Sequence, residues 1–214
     1  MINRARQWHL LTALVVAVAV VLQTVLVIEG SAVLAEHDPP SLGLRLGRLV
    51  SYFTIQANLL VLFAAITLVR NPRQDGRAWR VVRLAGVAGI TVTGLVHFVL
   101  LRPLLDLDGA DWVADKLLHM VVPVLAVIGW LVFGPRPRID WRDVGRALVW
   151  PFAWLAWTLV VGGVTGWYPY PFLDPDEHSW AGVVAACVGI TVLFLALFAG
   201  AADLDRRLHP TPDD

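Results

Sequence analysis

Uncharged apolar stretches alternate with short charged ones along the whole chain. Six blocks hold no Asp, Glu, Lys or Arg: 10–28, 49–69, 84–101, 117–133, 147–173 and 179–202. Each can supply a helix that crosses a bilayer, which takes about 20 residues at 1.5 Å rise through a core of about 30 Å. The pattern predicts helices over about 8–28, 48–69, 83–101, 112–133, 146–165 and 179–201. The expected fold is all-α: a polytopic membrane protein whose six transmembrane helices form one bundle, a single domain over residues 1–214. Composition agrees, since 16% charged residues against 57% hydrophobic falls well short of the roughly 25% charged that a soluble chain carries.

Charge placement predicts orientation. With the amino terminus inside, 13 of the 17 Lys and Arg residues fall on inside segments and only Arg45, Arg48, Arg102 and Lys116 on outside ones. The positive-inside rule then puts both termini in the cytoplasm of a cell with this protein in its plasma (inner) membrane. The outside segments are acidic, with Glu29, Glu36, Asp38, Asp106, Asp108, Asp111, Asp115, Asp174, Asp176 and Glu177. Trp112, Trp167, Tyr168, Tyr170 and Trp180 are expected near the outer boundary, and Trp8, Trp79, Trp130 and Trp150 near the inner one, as aromatic belts. The competing reading of the first block is a signal peptide cleaved after Val33-Leu34-Ala35; its apolar core exceeds the usual 7 to 15 residues, which favours a retained helix. The chain shows no internal repeat and no matched pair of broken helices of the inverted-repeat transporter kind. A net charge of zero gives no reason to propose nucleic acid, and the basic inside loops are explained by topology and anionic lipid. Cys187 stands alone in an apolar run, which excludes a disulfide scaffold and a conventional zinc site.

Polar side chains within the spans are the best pointer to a site, because they are costly in hydrocarbon. Thr54, His97 and His119 fall on helices two, three and four, all roughly 7 to 10 Å below the outer boundary by helix rise. Residues three and four apart share a helix face. Ser51, Thr54 and Asn58 therefore form one stripe, with Tyr52 and Gln56 projecting elsewhere, while Gly86, Gly89, Thr93 and His97 form a small and polar seam suited to close helix approach. Asp115 and His119 are four apart, so the carboxylate can fix the imidazole tautomer. Pro123 has no N–H for the His119 carbonyl, which predicts a bend beside the histidine. Two bland readings stand beside this one: a threonine in a membrane helix usually bonds its own i−4 carbonyl, and a buried histidine is usually a satisfied interhelical contact. The aromatic run Val164-Thr165-Gly166-Trp167-Tyr168-Pro169-Tyr170-Pro171-Phe172-Leu173-Asp174 reads either as an interfacial anchor or as a lid above the cavity.

The segments 51–60 (SYFTIQANLL), 91–97 (TVTGLVH), 115–119 (DKLLH) and 168–174 (YPYPFLD) resemble bacterial six-span Pr-six-Pr type membrane proteins over nearly the whole chain. More distantly the chain is similar to the eukaryotic androgen-induced membrane protein family, threonine hydrolases that cleave fatty-acid esters of hydroxy fatty acids. The resemblance implies a helix-two threonine and a helix-four histidine as the catalytic pair, here Thr54 and His119. This chain departs from the eukaryotic pattern in carrying Asp115-Lys116 where those proteins have Asn-His, and in a proline one residue nearer the histidine.

The expected function is a membrane-embedded hydrolase of lipid (fatty-acid) esters facing the outer leaflet. Thr54 is the expected nucleophile, His119 its base and Asp115 the orienting carboxylate, because a hydroxyl needs such a base near neutral pH. In an unliganded structure Thr54 Oγ and a His119 ring nitrogen should then lie within roughly 3 to 5.5 Å, in direct contact or bridged by one water. Ser51, Gln56, Asn58, His97, Tyr170 and Phe172 are the expected substrate-binding residues, with Asn58, Gln56 or backbone N–H groups near the kink as oxyanion donors. No cofactor or metal is expected, and the partners are membrane lipids or a lipid-like substrate. Two other classes remain open: a redox protein holding haem or a metal between His97 and His119, and a non-catalytic lipid-binding or transport protein using the same cavity.

Overall fold

The computed structural model describes residues 2–31, 40–136 and 138–208, and all regular structure among them is helical. Helices α1 (Ile2–Glu29), α3 (Phe53–Arg70), α4 (Arg77–Val96), α8 (Val149–Thr165) and α9 (Trp180–Arg207) are continuous. A short α2 (Leu42–Ser51) precedes α3, and a short α7 (Trp141–Ala147) precedes α8. Helices α5 (Gly109–Lys116) and α6 (Val122–Phe133) are joined end to end by a π-turn at Leu117–Val121. Among the described residues, six spans are long and apolar enough to cross a membrane: Ile2–Glu29, Phe53–Arg70, Arg77–Leu104, Gly109–Phe133, Trp141–Thr165 and Trp180–Arg207. The protein is therefore an all-α polytopic bundle. The cleavage-site reading at Val33-Leu34-Ala35, and Glu36 and Asp38, lie outside the described residues.

Three local departures from regular helix shape the site. The first is the break at Tyr52, whose extended backbone (φ −64°, ψ 129°) separates α2 from α3. The block from 49 to 69 reads as one helix, but tertiary contacts take the carbonyls that would continue it. The Ser51 carbonyl accepts the Trp154 indole N–H at 2.8 Å, and the Val50 carbonyl accepts the Gln56 amide at 3.0 Å. The other two are π-turns, His97–Leu101 at the end of α4 and Leu117–Val121 before α6. Each is followed two residues later by a proline, Pro103 or Pro123, which cannot donate to the carbonyl four residues back. Both candidate histidines ride on these turns, a frequent setting for functional residues.

Between membrane helices there is no hydrophobic driving force, so packing depends on close approach. The seam on α4 supplies it: a Cβ on Gly86 would stand 3.2 Å from Leu60 Cβ, and one on Gly89 would meet the Trp150 ring at 2.7 Å. Trp150 packs against this seam, stacked on Phe53 with ring centroids 4.4 Å apart. The fifth span begins earlier than expected, at Trp141.

The two ends differ in chemistry. At one, Asp75 bonds Arg80 at 2.6 Å and approaches Arg138 at 3.5 Å, while buried Asp205 of α9 accepts from the Arg138 and Ile139 N–H groups. The Arg80 hydrogen bond holds the Asp75 carboxyl well below the usual range. Opposite this arginine-rich end, Ser31 reaches Asp111 at 3.2 Å, Arg45 reaches the Val27 carbonyl, and Tyr52 meets Trp167 edge to face. The candidate site lies towards that second end.

Candidate active site

The break at Tyr52 makes Thr54 the second residue of α3 instead of the fifth residue inside a longer helix. The consequence is chemical. Thr12, Thr24, Thr91, Thr165 and Thr191 all spend their hydroxyls on their own i−4 carbonyls, the usual fate in a membrane helix. Thr54 has no such carbonyl on its face, because Val50 belongs to α2 and its oxygen is already bonded to Gln56. Its Oγ1 instead stands 3.3 Å from His119 Nε2 and 3.3 Å from the Tyr170 hydroxyl. Thr54 is 6% exposed.

The far side of the His119 ring fixes its tautomer. Nδ1 faces two oxygens, the Asp115 backbone carbonyl at 3.0 Å and Asp115 Oδ1 at 3.1 Å. Oxygens of this kind accept, so Nδ1 carries the proton and Nε2 presents a lone pair to the Thr54 hydroxyl. Asp115 is 5% exposed and fully engaged: Oδ1 also approaches His97 Nε2 at 3.2 Å, and Oδ2 accepts from Lys116 Nζ at 2.6 Å. The carboxylate is thus not a partly hydrated boundary group, as its place in the sequence suggests. The rings of His97 and His119 stack with centroids 3.9 Å apart and planes 15° from parallel.

His97, Asp115 and His119 bring potential metal-ligand atoms within 4.8 Å of one another. Here one nitrogen of each ring faces the same atom, Asp115 Oδ1, at 3.2 Å from His97 Nε2 and 3.1 Å from His119 Nδ1, and the stack leaves no room for a porphyrin between the rings.

Two cavities meet at Thr54. One, about 730 Å³ of atom-free space, is walled mainly by apolar side chains of α4, α8 and α9 and reaches Phe172. The other, about 680 Å³, is also lined mainly by apolar side chains, among them Leu49, Ile55 and Leu118, with Gln23, Asp111, Asp115 and His119 as polar groups in its wall. Thr54, His97, Leu101 and Tyr170 border both. Gln23 lies six residues before Glu29 at the end of α1, about 9 Å along the helix axis.

Of the expected binding residues, the structure gathers His97, Tyr170 and Phe172 around Thr54 and leaves three elsewhere. Ser51 bonds its own Gly47 carbonyl at 2.8 Å and lines neither cavity. Gln56 clamps the helix break, donating to Val50 and accepting from the Trp150 indole at 2.9 Å. Asn58, fully buried, donates to the Thr54 and Leu118 carbonyls at 2.8 and 3.4 Å. It ties the Thr54 turn to the His119 turn, and neither it nor Gln56 can serve as the oxyanion donor. Ser51 makes the i−4 bond usual for a hydroxyl in a helix, whereas Gln56 and Asn58 go to backbone carbonyls at the break and the π-turn.

Two residues were not singled out from the sequence. Gln23 is buried with Nε2 unpartnered on the cavity wall; an amide inside an uncharged block is the signal that points to it. Gly94 lets α4 reach the π-turn, since a Cβ there would stand 3.0 Å from the His119 carbonyl and 3.3 Å from Pro123. Gly94→Ala is expected to destabilise the protein by about 1–3 kcal/mol through overpacking, which thermal unfolding in detergent checks. No protein-family model, no curated protein and no solved structure matches the chain.

Proposed function

We propose that the protein is a membrane-embedded hydrolase of fatty-acid esters, with Thr54 as nucleophile and His119 as general base. The observation that carries the reading is the Thr54 Oγ1 to His119 Nε2 contact at 3.3 Å, with His119 Nδ1 held by Asp115 at 3.1 Å. A nucleophile, a base and an orienting carboxylate in this order form the recurrent constellation of acyl transfer. The distant similarity to the androgen-induced family of threonine hydrolases, carried by Thr54, His119 and the segments 164–166 and 170–174, supports the same reading.

The steps follow from the geometry. Thr54 Oγ1 attacks the ester carbonyl carbon as His119 Nε2 takes its proton, and the carbonyl π pair moves onto oxygen. Re-forming the carbonyl breaks the bond to the alcohol oxygen, which receives the proton from His119, leaving an acyl-Thr54 ester. Water then attacks that ester, giving a proton to His119; collapse returns the proton to Thr54 and releases the carboxylic acid. Asp115 faces the imidazolium formed in each half and stabilises it. The larger cavity, apolar and bordered by Thr54, suits a hydrocarbon chain. Purified protein in detergent should cleave a long-chain 4-nitrophenyl ester, and Thr54→Ala should not; equal rates for the two would remove the proposal.

The grouping of His97, Asp115 and His119 favours one second reading, a metal-dependent hydrolase after rotation of one ring. Turnover that survives chelation, in protein without stoichiometric metal, distinguishes the threonine mechanism from it.

The topology belongs to the same proposal. Arg4, Arg6, Arg70, Arg73 and Arg77 and the 136–146 arginines mark the cytoplasmic end, so both termini are inside and the site opens towards the outer leaflet of the plasma (inner) membrane. In a Cys187→Ser background, cysteines placed at Asp176 and Asp75 are expected to react with an impermeant maleimide from outside and only after permeabilisation, respectively. Equal reactivity in intact cells would overturn this topology.

A further inference from the structure

The hydrolase reading requires a place for negative charge on the carbonyl oxygen, and this inference rests on that reading. A helix leaves its first N–H groups without intrahelical acceptors. In α3 the Ile55 and Gln56 N–H groups return to the Tyr52 carbonyl at 3.1 and 3.2 Å, which leaves those of Phe53 and Thr54. Both residues are buried. The Thr54 N–H donates to the Tyr170 hydroxyl at 3.2 Å, and the Phe53 N–H faces the same oxygen.

That oxygen is 3.3 Å from the nucleophile Oγ1. It marks the side of Thr54 where two backbone donors, the positive end of the α3 dipole and the threonine hydroxyl come together. Burial pushes the Tyr170 hydroxyl above its ordinary value, and the contacts with the Thr54 hydroxyl and with the Thr54 and Phe53 N–H groups pull against it, as they would for any oxygen there turning anionic. Two further polar groups without protein partners point to a ligand in the cavities that Thr54 borders: Thr93 Oγ1 on the wall of the larger and Gln23 Nε2 on that of the smaller, each residue 7% exposed. Tyr170 borders both cavities.

We propose that the Phe53 and Thr54 N–H groups are the oxyanion site of the hydrolase, and that the Tyr170 hydroxyl is a place-holder in it which the ester carbonyl oxygen displaces on binding. The Tyr170 ring belongs to the 166–179 connection, stacked on Phe172 with centroids 5.3 Å apart. Its withdrawal joins the two cavities across Thr54, so an ester can lay its acyl chain on one side and its alcohol on the other.

The test removes one donor without touching a side chain. Phenyllactic acid incorporated at position 53 replaces the Phe53 N–H by an ester oxygen and keeps the ring on Trp150. It is expected to lower kcat for the 4-nitrophenyl ester by roughly 10²- to 10³-fold; an unchanged kcat overturns the proposal. Tyr170→Phe keeps the ring and removes the competing oxygen, so kcat/KM is expected to rise by about 2- to 10-fold, the value of one or two hydrogen bonds no longer broken on binding. No rise, or a loss, makes the hydroxyl something other than a place-holder and overturns that half. The wild-type control separates the two readings: a wild type that hydrolyses with a Thr54→Ala that does not leaves the hydrolase reading standing whatever position 53 shows, and a wild type without activity ends both.

Discussion

Thr54→Ala reduces ester cleavage to the uncatalysed background, and His119→Ala lowers it by roughly 10²- to 10⁴-fold, the usual contribution of a positioned general base. These are the expected results in single-turnover measurements at saturating protein. The double variant is expected to match Thr54→Ala, because groups that act as one unit are non-additive. Thr54→Ser keeps the hydroxyl and retains part of the rate, although loss of the methyl frees a rotamer that β-branching restricts. Folding is a separate matter, since neither alanine removes a buried charge. Equal unfolding temperatures for wild type and Thr54→Ala would show that the lost rate is chemical.

The second large effect is expected from Asp115. This carboxylate is buried between two imidazoles and a lysine, with oxygens 2.6 to 3.2 Å from three partner nitrogens. Asp115→Asn removes the negative charge that faces the imidazolium, while the backbone carbonyl at position 115 still accepts from Nδ1 at 3.0 Å. The expected loss is roughly 10²- to 10⁴-fold, comparable with that of His119→Ala. A boundary carboxylate in water would give a much smaller loss, as screened charges do. The ratio of the two rate losses, measured side by side, decides between a tuning role and a required one. Lys116, 20% exposed, can turn its amine to water, so the variant is expected to fold.

The legible part of this protein is what one-dimensional spacing and solvent cost determine. Uncharged blocks of membrane length located all six spans, and the i, i+4 relation of Asp115 and His119 anticipated their contact. The shared depth of Thr54, His97 and His119 followed from helix rise alone. What was not legible depends on distant partners. The break before Thr54 is made by Trp154, about a hundred positions away, which takes the Ser51 carbonyl. Without that break Thr54 would sit mid-helix with its hydroxyl on Val50. Gln56 and Asn58 look like free polar groups in a helical stripe, yet the carbonyls left by the break and the π-turn consume them. Tyr170 read as an anchor or a lid; only its fold-back onto α3 gives its hydroxyl a place beside Oγ1.

The central claim is that the Thr54 hydroxyl is an activated nucleophile, and covalent capture tests it most directly. Wild-type protein in native membranes, treated with a long-chain fluorophosphonate and digested, is expected to carry the phosphonyl group on the peptide containing Thr54, with fragmentation placing it on that residue. His119→Ala should prevent the modification. Absence of any adduct on Thr54 in wild-type protein, or an adduct there that forms equally fast without His119, would contradict the account.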